Sequence, residues 1–398
     1  MGEWKNVRVG ELGKIITGKT PKTSISDNYG GRIPFLTPSD NMSVKYVGKT
    51  SKTLTEKGLL EVKNAILPEN SVCVSCIGSD LGKAVITTCP TVTNQQINSI
   101  IVDEKSFDVS FVYYAMQILG KKMNFISKTS TAVPIVNKSS FSSYEIKCPP
   151  REDQKRIAAV LSALDSKIEC NKKINDNLEQ QAVALFKSWF VDFSLFGGTV
   201  PENWDDTTLE NITTLITRGI APKYSDNSDQ TVVNQKCIRN HTIDLSLART
   251  HTPKAINEKW LKFGDLLINS TGDGTLGRVA QVWFAPKALT VDSHVTIVRP
   301  AREELIFYIG LWGILHEKEI ESLHTGSTGQ TELPRDRVKM LKLLLPDNIS
   351  LSRFNSIITP MASTIISNQE ENQKLASLRD TLLPKLMSGE IDVSNIQF

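Results

Sequence analysis

The chain lacks the features that would place it in a membrane or outside the cell. Nothing in its 398 residues approaches 18 consecutive apolar residues, and residues 1–22 contain no apolar core of the kind found in signal peptides. The six cysteines are scattered, so they form no disulfide framework and fit a reducing compartment. These absences predict a cytoplasmic chain of two or three ordinary globular domains with no membrane segment.

Motifs for catalysis are missing as well. The sequence contains no Walker lysine loop, no Asp/Asn-Pro-Pro-aromatic methyltransferase box and no paired-carboxylate nuclease pattern. Gly272-Asp-Gly-Thr-Leu-Gly277 matches the GxGxxG pattern, but residues 278–284 have the pattern of a strand, whereas a phosphate site needs a helix there. A β-hairpin turn is therefore predicted, and the chain is predicted to be non-catalytic.

Metal ligands are also scarce. Cys73-Val-Ser-Cys76 lies in an apolar strand, where residues three apart face opposite sides, so two buried cysteines are predicted instead of a metal site. All five histidines lie in the second half without a ligand spacing, and His294 occupies the position that matches Gln96 in the first half. The sequence thus predicts no metal.

Charge is distributed unevenly although the net charge is only +3. Residues 1–150 carry 18 Lys/Arg against 12 Asp/Glu, while residues 197–348 carry 17 against 19. A basic excess is common in nucleic-acid binders, so charge favours DNA weakly for the first segment and not for the second.

Two long heptad patterns organise the chain. Apolar residues alternate at spacings of four and three, the pattern of a coiled-coil helix, and the whole pattern recurs 197 residues later. Its positions are Ile157, Leu161, Leu164, Ile168, Asn171, Asn175, Leu178, Ala182, Leu185 and Trp189, then Phe354, Ile358, Met361, Ile365, Asn368, Asn372, Leu375, Arg379, Leu382 and Leu386.

Each pattern has two asparagines near its centre. Paired helices would bring Asn171 and Asn175 against Asn368 and Asn372, and we expect these layers to set the helix register at some cost in stability. Because the layers are central, parallel and antiparallel pairings both match them. Separate packing of each helix onto its own domain is the alternative.

The globular segments are duplicated too. Trp4 leads to Ile15-Ile-Thr-Gly-Lys-Thr-Pro21 as Trp204 leads to Leu215-Ile-Thr-Arg-Gly-Ile-Ala-Pro222. Short β-rich runs such as residues 71–77, 84–88 and 97–102 alternate with turn residues, and residues 107–119 and 303–321 have helical patterns. The sequence predicts α+β globules, each followed by a long helix.

The sequence resembles the specificity (S) subunits of type I restriction-modification systems over essentially its whole length. The resemblance is carried by the order and spacing of several short segments. They are Thr37-Pro-Ser-Asp40, Asn94-Gln-Gln-Ile97, Pro149-Pro-Arg-Glu-Asp-Gln-Lys-Arg-Ile157, Leu185-Phe-Lys-Ser-Trp-Phe-Val-Asp-Phe193, Pro201-Glu-Asn-Trp204 and Leu382-Leu-Pro-Lys-Leu-Met-Ser-Gly-Glu-Ile391.

This resemblance implies an α+β, pseudo-twofold symmetric fold in which two target-recognition domains are separated by an antiparallel coiled coil of two long helices. The implied domains are 1–150 and 197–348, and the implied helical segments are 151–196 and 349–398. A helix of roughly 33 residues at about 1.5 Å per residue is about 50 Å long, enough to place two domains on successive major grooves about 34 Å apart.

The resemblance also implies partners. Double-stranded DNA, two modification subunits with S-adenosylmethionine and two restriction subunits with ATP and Mg would bind, while this chain itself would hold no cofactor. The alternatives are a duplicated scaffold or ligand-binding protein without a nucleic-acid role, and a damaged single-chain methyltransferase, which the missing methyl-transfer box disfavours.

Polar loops at matching positions of both globules are the candidate DNA-binding residues, because amide and basic side chains form paired hydrogen bonds with base edges. Many such residues would otherwise be ordinary surface or turn residues. The candidates are Lys19, Thr20, Lys22, Thr37, Ser39, Asn41, Gln95 and Gln96 in the first globule, and Arg218, Lys223, Lys236, Ser293, His294, Ser327 and Gln330 in the second.

The second helix departs from the first. Pro360 and Pro384 fall inside it, and Thr359-Pro360 has the pattern of an N-cap followed by the first helical residue. This pattern predicts a kinked helix or a late start.

Overall fold

The computed structural model describes residues 3–128, 135–253, 255–272, 274–326 and 331–396. The chain divides into two compact units. Unit 1 comprises Met1–Cys170 and Glu371–Phe398, and unit 2 comprises Asn171–Glu370. Each unit thus contains one globular segment and parts of two long helices. The domain boundaries drawn from the sequence stay a prediction.

Unit 1 alternates short strands with few helices, as its turn-rich sequence indicates. Its elements are β1 Lys5–Arg8, β2 Gly13–Thr17, β3 Tyr29–Leu36, β4 Lys52–Leu54, α1 Glu56–Glu61, β5 Ile66–Leu67, β6 Ser71–Ser75, β7 Ala84–Ile86, β8 Thr91–Thr93, β9 Ile97–Val102, α2 Val109–Lys128, α3 Lys138–Ser143, β10 Glu145–Cys148 and α4 Arg151–Phe190, which continues into unit 2.

Two four-stranded sheets form the centre of unit 1, with strand orders β2-β9-β6-β7 and β4-β3-β8-β5. Side chains of β6 alternate between two cores. Val72 and Val74 face α2 and the long helices, while Cys73 faces the core that contains Leu36 and Ile97. Burial on both faces explains the uninterrupted apolar run of β6.

Unit 2 repeats this plan. Its elements are β11 Asp205–Thr208, β12 Thr213–Arg218, β13 Thr231–Val233, β14 Ile238–Arg239, β15 Thr242–Ile243, β16 Arg249–Thr250, β17 Leu266–Asn269, β18 Val279–Gln281, β19 Leu289–Val291, β20 Val295–Pro300, α5 Ile306–Leu315, α6 Glu317–Ser322, α7 Arg335–Lys339, β21 Lys342–Leu345 and α8 Asn348–Ser388, which continues into unit 1.

The sheets of unit 2 correspond to those of unit 1. The larger sheet has the order β12-β20-β17-β18 and the smaller β16-β13-β19. In β17, Leu266 and Ile268 face the helices and Leu267 faces the opposite core, as in β6. The hairpin β17–β18 contains the GxGxxG segment, so the prediction of a turn followed by a strand is confirmed.

The long helices pair antiparallel within each unit. In unit 1, Arg379 contacts Asp165 at 2.9 Å. In unit 2, Asn368 contacts Asn175 at 2.8 Å and Phe354 packs on Phe186. The residue numbers rise on one helix as they fall on the other. This pairing confirms the predicted α+β fold with an antiparallel helix pair.

The late start predicted for the second helix is wrong. Helix α8 begins at Asn348, twelve residues before Pro360, and runs through Pro384 to Ser388. Asp347 caps it, because its Oδ1 accepts hydrogen bonds from the backbone N–H groups of Ile349 and Ser350 at 2.8 and 3.0 Å. An interior proline costs about 3 kcal/mol. Burial of the apolar stripe offsets that cost.

Two other helices differ from their predicted bounds. The first, expected over residues 107–119, spans Val109–Lys128. The second, expected over 303–321, is a 3-10 turn at Glu303–Leu305 followed by α5 and α6. The break falls at His316, whose ring stacks on Trp312 and hydrogen-bonds its carbonyl.

Candidate nucleic-acid interface

Three polar loops of unit 1 meet at one end of its sheets. Strands β3 and β8 are parallel, so the segments that follow them leave the smaller sheet at the same end. The loop after β2 joins them there, because Thr20 Oγ1 donates to Gln95 Oε1 at 2.6 Å. The backbone N–H of Asn94 donates to the carbonyl of Leu36 at 3.1 Å. Loops far apart in sequence therefore form one polar surface.

Gly18 permits this close approach. A Cβ atom at Gly18 would lie 2.1 Å from the carbonyl oxygen of Asn94. In unit 2, a Cβ atom at Gly219 would lie 1.9 Å from the carbonyl oxygen of Val291. Any side chain at either position would push the loop after β2 or β12 away from its neighbour.

Asp40 shapes the loop after β3. Its carboxylate accepts hydrogen bonds from the backbone N–H and hydroxyl of Thr37 at 2.8 and 2.9 Å and from the backbone N–H of Ser51 at 2.7 Å. Partial burial raises the pKa of Asp40, but these donors outweigh it and hold the pKa below its ordinary value. The loop is thus ordered by an ionised carboxylate.

The candidate residues of unit 1 all lie in these loops. Thr37 Oγ1 lies 2.7 Å from Ser39 Oγ, and the backbone N–H of Lys22 donates to the carboxylate of Glu61 at 2.9 Å. The candidates with exposed side chains are Lys19, Thr20, Lys22, Ser39, Asn41 and Gln95, whereas Thr37 and Gln96 are half-buried.

The same end of unit 2 carries the corresponding loops. Strands β13 and β19 are parallel, and the segments after them contain Lys236 and His294. The backbone N–H of Lys236 donates to Asn234 Oδ1 at 2.9 Å. The candidates Ser293 and Lys223 follow β19 and β12 respectively, while Ser327 and Gln330 lie outside the described residues.

His294 and Gln96 occupy equivalent turns. The backbone N–H of Gln96 donates to Asn94 Oδ1 at 3.1 Å, and that of His294 donates to Asp292 Oδ1 at 2.9 Å. His294 is exposed and its Nδ1 lies 2.7 Å from Thr271 Oγ1. The two units therefore present different side chains from one backbone position.

Arg218 differs from the other candidates because its guanidinium is engaged inside unit 2. It forms an ion pair with Glu332 and donates to the carbonyl of Leu333 at 2.8 Å. The carboxylate of Glu332 balances its charge. Whether Arg218 also contacts DNA stays a prediction, as it does for the other candidates.

None of the residues that shape the loops is among the candidates drawn from the sequence, although Asp40 and Asn94 lie in two of the segments that carry the family resemblance. Asp40, Asn94, Asn234 and Asp292 each accept a backbone N–H from two or three residues away, or across the loop. For Asn94, Asn234 and Asp292 the signal is an Asp or Asn directly after a three-residue strand and before a turn, whereas Asp40 lies four residues after the end of β3. That signal predicts a loop shape but not which side chains the loop presents.

No metal site was found in the described part of the chain, since no group of three or more His, Cys, Asp or Glu side chains is placed to hold an ion there. Cys73 and Cys76 are buried, and burial raises the pKa of the Cys73 thiol to about 12. Burial of both cysteines is confirmed, and they belong to different cores, but Cys76 lies one residue beyond the end of β6. Among the same residues, none of the helices is long and apolar enough to span a membrane.

The known proteins to which this chain is similar include specificity domains and subunits of type I restriction systems. A family model described as the type I restriction modification DNA specificity domain matches residues 1–180. The MjaIX type I restriction enzyme specificity subunit of Methanocaldococcus jannaschii is 28% identical over 424 aligned residues, which cover 99% of this chain and 95% of that protein. The HindI specificity subunit of Haemophilus influenzae is 32% identical over 180 residues, covering 44% of this chain and 39% of its own.

A solved structure shares the fold. The S subunit of a type I restriction-modification system from M. genitalium superposes with a TM-score of 0.56 at 16% sequence identity. The superposition covers 97% of this chain and 96% of that one. The architecture of both units is therefore one already seen in another protein.

Proposed function

We propose that this chain is a specificity subunit of a type I restriction-modification system, that each unit reads one half of a bipartite DNA site and that the chain itself catalyses no reaction. The observation that carries this proposal is the recurrence of one polar loop cluster at the same end of equivalent sheets. A protein that reads two half-sites needs two such surfaces.

The chemistry of the loops suits the reading of bases. Gln95, Gln96 and Asn41 carry amides that can pair with adenine, while Lys19 and Lys236 carry donors for guanine or phosphate. Each well-placed pair discriminates against a wrong base by about 1–3 kcal/mol. Because Gln96 is replaced by His294 in unit 2, the two half-sites are expected to differ.

The long helices supply the spacing and the docking surface for partners. We propose two modification subunits, which carry S-adenosylmethionine and flip the target adenine out of the duplex, and two restriction subunits, which carry ATP and Mg. No cofactor is assigned to this chain. The whole assembly is proposed to work in the cytoplasm, where it has access to DNA.

The decisive experiment is genome-wide mapping of N6-methyladenine in cells that express this chain with its modification subunit. A split motif with two unlike halves, methylated once in each half, is the expected result. A continuous or palindromic motif, or no methylation by a folded complex, would contradict the proposal.

Loop variants refine the assignment of bases to units. Replacing Gln95 and Gln96 by Ala should relax or change one half of the motif only, and replacing Ser293 and His294 should affect the other half only. If the substitutions in one unit changed both halves of the motif, the assignment of one half-site to each unit would be contradicted. The alternative function, a duplicated scaffold without a nucleic-acid role, is supported by none of the comparisons.

A further inference from the structure

An exposed basic residue begins the same edge strand in both units. Lys52 is the first residue of β4 and pairs with Phe35 of β3. Arg249 is the first residue of β16 and pairs with Val232 of β13. The segments between the paired strands are both 15 residues long, and Arg249 lies 197 residues after Lys52, which is the offset that also separates the two heptad patterns.

The registers show that the two positions are structurally equivalent. Phe35 is the last residue but one of β3 and pairs in parallel with Val92 of β8. Val232 is likewise the last but one of β13 and pairs in parallel with Thr290 of β19. Lys52 and Arg249 therefore lie at matching positions of matching sheets.

This position is next to the candidate loops. Strands β3 and β8 leave their sheet at one end, and the antiparallel β4 enters the sheet at that same end. Lys52 is thus one residue pair away from the start of the loop with Thr37 and Ser39. By the same reasoning, Arg249 is one pair away from the loop with Lys236.

Neither cation is neutralised by a carboxylate within the part of the chain that the structure describes. Among the described Lys and Arg residues of unit 2, Arg218, Arg299 and Lys339 form ion pairs, while Arg249 forms none. Its guanidinium instead lies 3.6 Å from the ring centre of Tyr224, which is 40% exposed. Stacking holds the guanidinium in place and leaves its N–H groups free to donate.

Tyr224 is itself fixed beside the candidate loop. Its neighbour Ser225 bonds Thr250 of β16 in both directions, and the carbonyl of Lys223 accepts from the backbone N–H of Thr252 at 2.8 Å. The segment after β12 therefore runs along β16. The stacked pair of Tyr224 and Arg249 therefore lies next to the candidate residue Lys223.

The globular segment of unit 2 has no excess of basic residues. Residues 197–348 carry 17 basic against 19 acidic residues, and Arg218 is already paired with Glu332. Since DNA binding requires phosphate charges to be neutralised by Lys or Arg, unit 2 needs unpaired cations at the edge of its loops. Arg249 meets that requirement.

We propose that Lys52 and Arg249 are equivalent phosphate contacts, one at each half-site, which position the duplex beside the loops that read bases. This inference rests on the proposed function. Phosphate contacts set the register of a protein on DNA but carry no sequence information, so these residues act on affinity and not on the motif.

The test uses the complete complex with its modification subunits and a DNA fragment that contains the methylated site. Lys52→Gln and Arg249→Gln are each expected to reduce the slope of log affinity against log salt by about 0.9, and the double variant by about 1.8. Affinity at about 0.1 M salt should fall roughly 5- to 10-fold for each single variant. The methylated motif should be unchanged.

Matched controls are available in both units. Lys147 of β10 and Lys342 of β21 are exposed basic residues in the small sheets β1–β10 and β11–β21, and Gln at either position should leave slope and affinity unchanged. Arg249→Lys should restore the slope because the charge remains. Tyr224→Leu should keep the slope and lower the affinity only severalfold.

The outcomes separate this inference from the proposed function. If the unaltered complex binds and methylates a split site but the Gln variants keep its salt slope, the phosphate contacts are refuted. A changed motif would also refute them, since it would mean base readout. An unaltered complex that neither binds nor methylates DNA would instead overturn the proposed function.

Discussion

Units 1 and 2 share the strand order of their larger four-stranded sheets but solve one packing problem differently. Leu266 pairs with Val298 in unit 2 as Val72 pairs with Ile100 in unit 1. The adjoining pair in unit 2 is Asp265 with Arg299, a buried salt bridge at 2.7 Å. Its counterpart in unit 1 is Ser71 opposite Ile101, which carries no charge. The fold therefore does not need an ion pair at this position.

The helix pair shows the reverse contrast. In unit 1, Asp165 binds Arg379 and accepts a hydrogen bond from Tyr114 at 2.5 Å. The residues at the matching heptad positions of unit 2 are Ala182 and Ala362, both buried in its core. Here unit 1 uses charge and unit 2 uses small apolar residues. The two halves have thus diverged in their interior and not only in their loops.

The contact between sheet and helix differs as well. His241 of unit 2 and Tyr46 of unit 1 each form an isolated bridge with the edge strand of the larger sheet. The imidazole of His241 lies 2.6 Å from Glu179 of α4 and 3.8 Å from Glu317. In unit 1, Lys45 donates to Ser162 of α4 at 2.6 Å instead. Opposite acid–base behaviour is expected from these two contacts.

Breaking the buried pair of unit 2 should give the largest effect. Arg299→Ile leaves the carboxylate of Asp265, which is 0% exposed, without its cation, and the free energy of unfolding should fall by about 3–5 kcal/mol. The double variant Asp265→Ser with Arg299→Ile copies unit 1 and should recover more than half of the loss. Urea unfolding of the full chain measures both. Equal losses in the single and double variants would show that the rest of unit 2 depends on the charges themselves.

Removing the charged contact of unit 1 should cost less. Arg379→Ala leaves Asp165 with its bond from Tyr114 only, so the expected loss is about 1–3 kcal/mol. Lys167→Ala is the matched control, because its ion pair with Glu371 lies on the same helices but is about half exposed, and it should cost under about 1 kcal/mol. Similar losses for both variants in thermal unfolding would contradict a special role for Arg379.

The asparagine layers are expected to raise stability when they are removed. Replacing Asn171, Asn175, Asn368 and Asn372 by Leu should raise the free energy of unfolding by about 1 kcal/mol or more, because one buried and three half-buried amides are exchanged for apolar contacts. The same variant should permit other helix alignments or self-association. Sedimentation and the spacing of the methylated site test this. An unchanged monomer with unchanged spacing would remove any role in register.

The elements predictable from sequence are those governed by a local period. Strand β9 was predicted at the residues where it lies, and both long helices follow from their heptads, because an apolar stripe has one way to be buried. The start of α8 was missed because Thr359-Pro360 satisfies a local rule that tertiary burial of Phe354 and Ile358 overrides. Helix orientation was undetermined because the asparagines are central.

The candidate site was predictable only in part for a related reason. Loops were located through their turn residues, but the engagement of Arg218 with Glu332 joins residues 114 positions apart and leaves no local pattern. The equivalence of Lys52 and Arg249 follows from the repeat offset of 197 residues, but their position beside the loops depends on strand pairing. Non-local pairing decides which polar side chains remain available to a ligand.

The smallest expected effect concerns pH. The hydrogen bond to Glu179 raises the pKa of His241, while partial burial opposes this without cancelling it. The stabilisation that protonated His241 contributes is therefore complete below about pH 6.5, the pKa of histidine in the unfolded chain. It is lost as pH rises through the higher pKa that His241 has in the folded chain. Because the imidazole is about a third exposed, we expect only about 0.2–1 kcal/mol.

The stability that Lys45 contributes in unit 1 should change with pH in the opposite direction. Burial lowers the pKa of Lys45 to about 8, which the charges of Asp165 and Asp108 oppose only in part. Between about pH 8 and the ordinary value of 10.5 the unfolded chain binds more protons, so stability from this site rises with pH. Unfolding free energies of the wild type, His241→Gln and Lys45→Met across pH 5 to 10 separate the two contributions by difference. The unfolding free energy of the wild type minus that of His241→Gln should decrease as pH rises. The unfolding free energy of the wild type minus that of Lys45→Met should increase as pH rises. If both differences changed with pH in the same direction, the prediction of opposite titration at His241 and Lys45 would be wrong.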